Sequence, residues 1–157
     1  MIVSASRRTD IPAFYFDWFC NRLQGGYVDA NSPFNRKQVS RISLSPNSVD
    51  CIVFWTKDPA PMLGRLDTLN DYHYYVQVSI TPYDRDIEAN IRPKADIIKI
   101  VQELTGLLGR LRVVWRYDPI LLNERYTIES HMAWFERTLM ALSYCVERCV
   151  ISFIDLL

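Results

Sequence analysis

The fold is decided by the stretch Cys51-Ile52-Val53-Phe54-Trp55, a continuous apolar run bounded by the polar residues Asp50 and Thr56. A strand with one face in water alternates apolar and polar residues, whereas a strand of a parallel sheet is covered on both faces and stays apolar. The run therefore predicts a buried strand of a parallel sheet. A polar segment, Thr56-Lys57-Asp58-Pro59, follows where this strand ends.

Short apolar strands and helical segments alternate on both sides of this run. Further strands are predicted at residues 2–6, 74–81, 111–115 and 149–154. Helices are predicted at 14–23, 62–69 and 93–108, and after Thr127, which has the side chain of an N-cap. Within the first helix, Phe14 and Trp18 stand four residues apart and are expected on its apolar face. Residues 27–30 and 39–44 are expected to pair as a hairpin across the turn-rich residues 31–35.

The alternation predicts an α/β protein, with a parallel βα-repeat of about five strands and an inserted β-hairpin. We interpret it as the front part of a TIM-like (β/α) barrel that forms one domain over residues 1–157. A closed barrel needs about 250 residues, and the chain has 157. It ends just after a strand of the buried type, so we expect a barrel truncated after its fifth strand, as a fragment or a truncated gene product. No glycine-rich phosphate loop follows a strand, which argues against a Rossmann or P-loop fold.

Composition narrows the location and the partners of the protein. Lys and Arg number 18 and Asp and Glu number 18, so no net charge recruits nucleic acid or an anionic membrane. The chain opens without a signal-peptide pattern, and no apolar stretch approaches the roughly 20 residues that span a bilayer. We therefore expect a cytoplasmic protein with reduced cysteines and no membrane partner. Cys145 and Cys149 have neither a second cysteine pair nor a nearby histidine, so no zinc site is expected, and His73 and His131 are expected in packing or surface roles.

Polar side chains recur at the predicted carboxyl ends of the strands, where parallel sheets and barrels bind ligands. Guanidinium and ammonium groups there offer donors to a carboxylate or phosphate, and aromatic rings offer a stacking surface for a flat ligand. Two of these residues, Asp10 and Asp118, are candidate catalytic groups that shuttle protons or orient the cations. The candidate substrate-binding residues are Arg7, Arg8, Asn35, Trp55, Lys57, Gln77, Thr81, Arg116, Tyr117 and Asp155.

Several interpretations of these strand ends stay open. A single Arg–Asp pair is most simply a salt bridge between neighbouring loops, whereas the whole set favours a ligand site. The site belongs to an enzyme, or to a non-catalytic module that binds a small anion or a partner protein. A third alternative is a metal-dependent hydrolase, although cations stand beside three of its four carboxylates, which are Asp10, Asp58, Asp118 and Asp155. If the 157 residues fold alone, the sheet edge after the fifth strand is expected to be covered by a second copy in a homodimer.

Three strings carry a family resemblance: Ser-Ala-Ser-Arg-Arg-Thr-Asp-Ile-Pro-Ala at residues 4–13, Phe-Trp-Thr-Lys-Asp-Pro at 54–59 and Trp-Arg-Tyr-Asp-Pro-Ile at 115–120. In this order they resemble a bacterial family of uncharacterised proteins, domain of unknown function 1848, and residues 152–155 also fit its pattern. The resemblance covers nearly the whole chain, but the family has no assigned reaction.

The resemblance also implies a longer protein with a cysteine-rich C-terminal region. That region resembles the C-x3-C-x2-C motif with which radical S-adenosylmethionine enzymes hold an iron–sulfur cluster. This chain has no such stretch, so the resemblance implies no cofactor within it and a cluster only in a C-terminal region not present here. We therefore expect the N-terminal part of a barrel enzyme that binds an anionic or nucleotide-like small molecule, with radical chemistry when complete.

Overall fold

The computed structural model describes residues 1–6, 9–31 and 39–154. Strands within this part of the chain are β1 (Ile2–Ser4), β2 (Tyr27–Asn31), β3 (Val39–Ser43), β4 (Cys51–Thr56), β5 (Tyr74–Ser79), β6 (Val113–Ile120) and β7 (Cys149–Phe153). Its α-helices are α1 (Ile11–Phe14), α2 (Phe16–Gly25), α3 (Ala60–Leu63), α4 (Lys94–Leu108) and α5 (Ile128–Leu142). Short 3₁₀ segments occupy Pro46–Ser48, Leu66–Leu69 and Arg110–Arg112.

Five of these strands form one parallel sheet in the order β1-β4-β5-β6-β7, which follows their order along the chain. The strands β2 and β3 pair separately as an antiparallel hairpin, with Tyr27 opposite Ser43. These observations confirm the predicted mixed α/β class, the parallel sheet and the inserted hairpin. The run at residues 51–55 is the second strand of the sheet and lies between β1 and β5.

One face of the sheet packs against helices and forms the core. Phe54 is fully buried there, with edge contacts to the rings of Phe16, Phe19 and Tyr74 at 5.9, 5.5 and 5.9 Å. On β6, Trp115 stacks on Phe135 of α5 at 4.8 Å. The opposite face carries polar side chains instead, and we call it the open face. Its strand registers set Trp55 opposite Gln77 and Ser79 opposite Arg116, with Asp118 following on β6.

The first predicted helix is wrong in its register. The chain forms two helices, α1 and α2, separated at Tyr15, whose φ of −135° is not helical. This break turns Phe14 and Trp18 outward, where they are 67% and 47% exposed. An apolar stripe with helical spacing faces the core in their place, formed by Phe16, Phe19, Cys20 and Leu23.

The predicted strand at residues 111–115 starts too early and ends too soon. Gly109, with φ +86°, ends α4, and the following Arg110–Arg112 form a 3₁₀ turn. The strand β6 then runs on to Ile120, because β7 pairs with it as far as Phe153. Its register with β7 shifts around Pro119, which has no N–H to donate to the ladder. Arg116 and Asp118 therefore lie within β6 and not in the loop after it.

The helices α4 and α5 have 15 residues each. Crossing a bilayer takes about 20 consecutive, mostly apolar residues. Within the residues that the structure describes, no helix combines the length and the apolar character required for such a crossing.

Candidate functional site

A cavity of about 650 Å³ opens at the carboxyl ends of β1, β4 and β6 and the adjoining end of β5. This position is the one at which parallel βα sheets bind ligands, and the volume is that of a small-molecule pocket. Four predicted site residues, Asp10, Trp55, Lys57 and Asp118, line the cavity together. The remaining lining residues are Ser4, Ser6, Thr56, Ser79 and Pro119.

Arg116 does not line this cavity itself but lies beside it, held by the lining residues Asp118 and Trp55 and by Gln77. Its Nε donates to Oδ1 of Asp118 at 2.8 Å, its Nη2 donates to Oδ2 of the same carboxylate, and its Nη1 donates to Oε1 of Gln77 at 2.7 Å. The guanidinium carbon lies 3.9 Å from the centre of the Trp55 ring. A bidentate carboxylate and a stacked ring fix the plane of a guanidinium, so Arg116 has one defined orientation.

Trp55 is the aromatic surface of the cavity. Its Nε1 donates to Oγ of Ser79 at 3.0 Å, and its backbone N–H donates to Oγ of Ser6 at 3.3 Å. The side chain is nevertheless 41% exposed, which is unusual for an indole held by such contacts. It can therefore stack on a flat ligand without first giving up conformational freedom.

Lys57 takes part in an ion-pair cluster that the sequence did not predict. Its Nζ donates to Oε1 of Glu88, which also accepts from Oγ1 of Thr81 at 2.9 Å, and Nζ of Lys94 donates to Oε2. Burial alone would raise the pKa of Glu88, but the ammonium groups of Lys57 and Lys94 outweigh it and lower that pKa below 4.5. Glu88 is therefore ionised at neutral pH. We call these four residues the Glu88 cluster.

The cation and carboxylate that are adjacent in sequence at the end of β4 do not pair with each other. Asp58 accepts from Nε of Arg92 at 3.0 Å through Oδ2 and from the N–H of Ala60 at 3.1 Å through Oδ1. Lys57 instead reaches Glu88, 31 residues further along the chain. Sequence proximity thus identified the charged groups at this strand end but not their partners.

Asp10 connects two elements through its carboxylate. Oδ1 accepts from the backbone N–H of Ala13 at 3.0 Å and caps α1, while Oδ2 accepts from the backbone N–H of Lys57 at 2.8 Å. The chain after β1 is thereby tied to the end of β4. Both oxygens keep lone pairs for a further donor, since a carboxylate has about four acceptor positions.

Other predicted site residues lie away from the cavity or outside the described part of the chain. Tyr117 is buried on the helix-covered side, where its hydroxyl lies 2.6 Å from Nδ1 of His131 and where burial raises its pKa. Thr81 is buried in the Glu88 cluster. Four predicted site residues fall outside the described residues, namely Arg7, Arg8, Asn35 and Asp155.

The described residues do not fit a metal centre or an iron–sulfur cluster. Among residues 1–6, 9–31 and 39–154, no group of three or more His, Cys, Asp or Glu side chains is placed to hold a metal ion. Cys20 is buried beside Oγ1 of Thr68, and burial raises the pKa of Cys149 to about 11, which disfavours the thiolate that a metal requires. Cys20 and Cys149 thus lack the accessible thiolate that a metal ligand needs.

Comparison with known proteins gave one family match. The family model described as Domain of unknown function (DUF1848) matches residues 2–157. This match confirms the resemblance that residues 4–13, 54–59 and 115–120 carry. No curated protein and no solved structure matches the chain.

Proposed function

The chain belongs to the DUF1848 family, whose description assigns no reaction, and from that premise we propose that it binds a small anionic molecule on the open face of its sheet. The observation that carries this proposal is the fixed guanidinium of Arg116 beside the cavity. A guanidinium has five N–H groups, of which three are used by Asp118 and Gln77. One N–H on each Nη remains without an acceptor among the described residues, and these two donors suit a carboxylate or phosphate.

A purely structural salt bridge explains Arg116 less well. Arg116 and Asp118 stand two residues apart on the same strand, so this ion pair joins no separate elements, and the link from Arg116 to β5 is the neutral bond to Gln77. By contrast, the pairs Lys57–Glu88 and Arg92–Asp58 each connect distant parts of the chain. The Arg116–Asp118 pair therefore fixes a guanidinium in place, and such preorganisation is what a binding site requires.

Arg116→Lys tests this proposal, because it keeps the charge but loses the bidentate contact and the stacked plane. We expect a library of small carboxylates and phosphates, screened by native mass spectrometry, to give ligands that the variant binds at least about tenfold more weakly. Arg125→Lys is the matched control, since Arg125 pairs with Asp84 and Asp86 in exposed loops. Ligands that bind Arg116→Lys as tightly as the wild type would refute the proposal, provided that both proteins have the same melting temperature.

The order of the strands favours a barrel enzyme as the kind of protein to which this binding site belongs. The order of the strands in the sheet equals their order in the chain, as it does for consecutive strands of a (β/α) barrel. In the front part of a TIM-like barrel the open face would line the interior, with Asp118 and Asp10 beside the substrate. A crystal structure of the full-length gene product tests this: strands between β7 and β1 support the barrel, and helices covering the open face contradict it.

Iron–sulfur chemistry in this proposal rests on the family resemblance alone, which implies cluster ligands in a cysteine-rich region. Iron and sulfide content of the full-length gene product, purified without oxygen, decides it. Stoichiometric iron and sulfide would support a radical enzyme, and their absence would leave an anion-binding protein with or without turnover. No contact in the described residues favours the metal-dependent hydrolase, because Asp118 and Asp58 are engaged by Arg116 and Arg92.

A further inference from the structure

Building on the proposed ligand site, we propose that it has two parts, an anion subsite at Lys57 whose charge is set by Glu88 and a ring platform at Trp55. The class of ligand that fits both parts is a planar polar ring joined by a short linker to one carboxylate or phosphate. A nucleoside monophosphate is one such molecule.

The balance of charge identifies the anion subsite. Arg116 with Asp118, and Arg92 with Asp58, are ion pairs of one cation and one anion. In the Glu88 cluster, one carboxylate is shared by the two ammonium groups of Lys57 and Lys94, which leaves one positive charge. Among these described ion pairs, the Glu88 cluster is the one with a net positive charge, so it supplies the charge that attracts an anion, while the neutral Arg116–Asp118 pair contributes its two free N–H donors.

The depth of each group places that charge at the cavity. The side chain of Glu88 is 7% exposed and does not line the cavity, whereas that of Lys57 is 37% exposed and lines it. Asp10 also lines the cavity and is in no ion pair among the described residues, but the backbone N–H groups of Ala13 and Lys57 donate to its two oxygens and offset part of its negative charge. Lys57 is therefore the cation of the Glu88 cluster that an anion in the cavity can reach, and the anion competes with Glu88 for it.

The ring platform lies two residues before Lys57 on the same stretch of chain. Lys57 directly follows the end of β4, and its side chain lines the same cavity as the indole of Trp55, so the two can face one ligand together. Arg116 backs one side of the indole, and Ser79 and Gln77 provide polar atoms around it. A flat ring with polar edges matches this surface, and a charged group a few bonds away reaches Lys57.

Three probes that share one ring separate the two parts: adenosine, adenosine 5′-monophosphate and adenosine-5′-carboxylate. We expect isothermal titration calorimetry to show the wild type binding the two charged probes at least about tenfold more tightly than adenosine, as an accessible ammonium next to an anion allows. Lys57→Gln should remove that difference in affinity. Its affinity for adenosine should stay within about twofold of the wild-type value, because only the charged contact is lost. The ratio of the dissociation constants of the two charged probes shows whether carboxylate or phosphate is the preferred anion.

Glu88→Gln makes the sharper test, because it should tighten binding of the charged probes about threefold or more by freeing Lys57. Asp58→Asn is the matched control. It changes the net charge by the same amount, but Asp58 pairs with Arg92 and not with Lys57. Trp55→Leu should weaken all three probes together. If Glu88→Gln does not fold, Lys57→Gln and Asp58→Asn still decide the anion subsite.

Three results would overturn this inference. The first is that adenosine binds as tightly as the charged probes. The second is that Lys57→Gln weakens the binding of all three probes equally. The third is that Asp58→Asn tightens the binding of the charged probes as much as Glu88→Gln does. If no probe binds but the library still yields ligands that Arg116→Lys loses, this ligand class is wrong and the proposed function stands. If the library also yields none, the proposed function itself fails.

Discussion

The two histidines of the chain were expected in packing or surface roles, and they differ in their burial. His73 is exposed before β5, where its backbone carbonyl accepts from Ile52. His131 is buried in α5, with Nε2 3.0 Å from the carbonyl oxygen of Leu121 and Nδ1 2.6 Å from the hydroxyl of Tyr117. A carbonyl can only accept, so Nε2 carries the proton and Nδ1 accepts from the tyrosine.

Replacing His131 by Phe keeps a ring of similar shape but leaves the buried Tyr117 hydroxyl and the Leu121 carbonyl without this partner. We expect the free energy of unfolding in urea to fall by about 1–3 kcal/mol, the usual cost of an unsatisfied buried polar group. His73→Phe is the control and should change stability by no more than about 0.5 kcal/mol, as exposed substitutions do. Equal effects of the two substitutions would show that the contacts of His131 contribute nothing to stability.

Among the secondary-structure elements, strands were predicted better than helices. The continuous apolar run at residues 51–55 correctly predicted a strand of the parallel sheet, but only its core face, with Ile52 and Phe54, is fully buried, while Trp55 on the open face is exposed. The register of α2 depends on where α1 ends, and the break at Tyr15 has no glycine or proline to mark it. Periodicity therefore placed Phe14 and Trp18 on the wrong face.

Contacts between distant elements account for what the sequence could not predict in the site. Positions of Trp55, Lys57 and Asp118 followed from the rule that ligands bind at strand ends. Glu88 lies in the connection between β5 and α4, where no local pattern distinguishes it from other acidic loop residues. Its role appears only when folding brings Lys57 and Lys94 to the same carboxylate.

The end of α2 offers a test at the same scale, because its two consecutive glycines have different backbone conformations. Gly26 has φ +74° and its N–H bonds to the carbonyl of Leu23, whereas Gly25 is the last helical residue and does not have positive φ. A Cβ at either position meets nothing within 4 Å, so only the backbone conformation differs.

We expect Gly26→Ala to lower the free energy of unfolding by about 1 kcal/mol, because a left-handed conformation disfavours a side chain. Gly25→Ala should raise it by about 0.5 kcal/mol, because alanine loses less backbone entropy in a helix. Thermal or urea unfolding of the two variants in parallel measures the difference. Destabilisation by both substitutions to the same extent would contradict the assigned end of α2.

For the whole molecule, the outer edge of the sheet at β7 decides how two copies can associate. Within residues 1–6, 9–31 and 39–154, β7 pairs with β6 on one side only, so the N–H and C=O groups of its other side form an edge. Ile151 and Phe153 on this strand are 58% and 64% exposed. Apolar edge strands readily pair with a further strand, and the expected homodimer through the sheet edge stays a prediction.

A second copy suits this edge because two β7 strands related by a two-fold axis run antiparallel and offer each other the same donors and acceptors. We expect light scattering after size-exclusion chromatography to give the mass of a dimer for the wild type, and Phe153→Lys to shift it to a monomer, since a lysine on an edge strand blocks pairing. Leu111→Lys, which places the same charge at an exposed apolar residue outside β7, should leave the dimer intact. A monomeric wild type, or equal dissociation of both variants, would show that the edge of β7 is not where two copies meet.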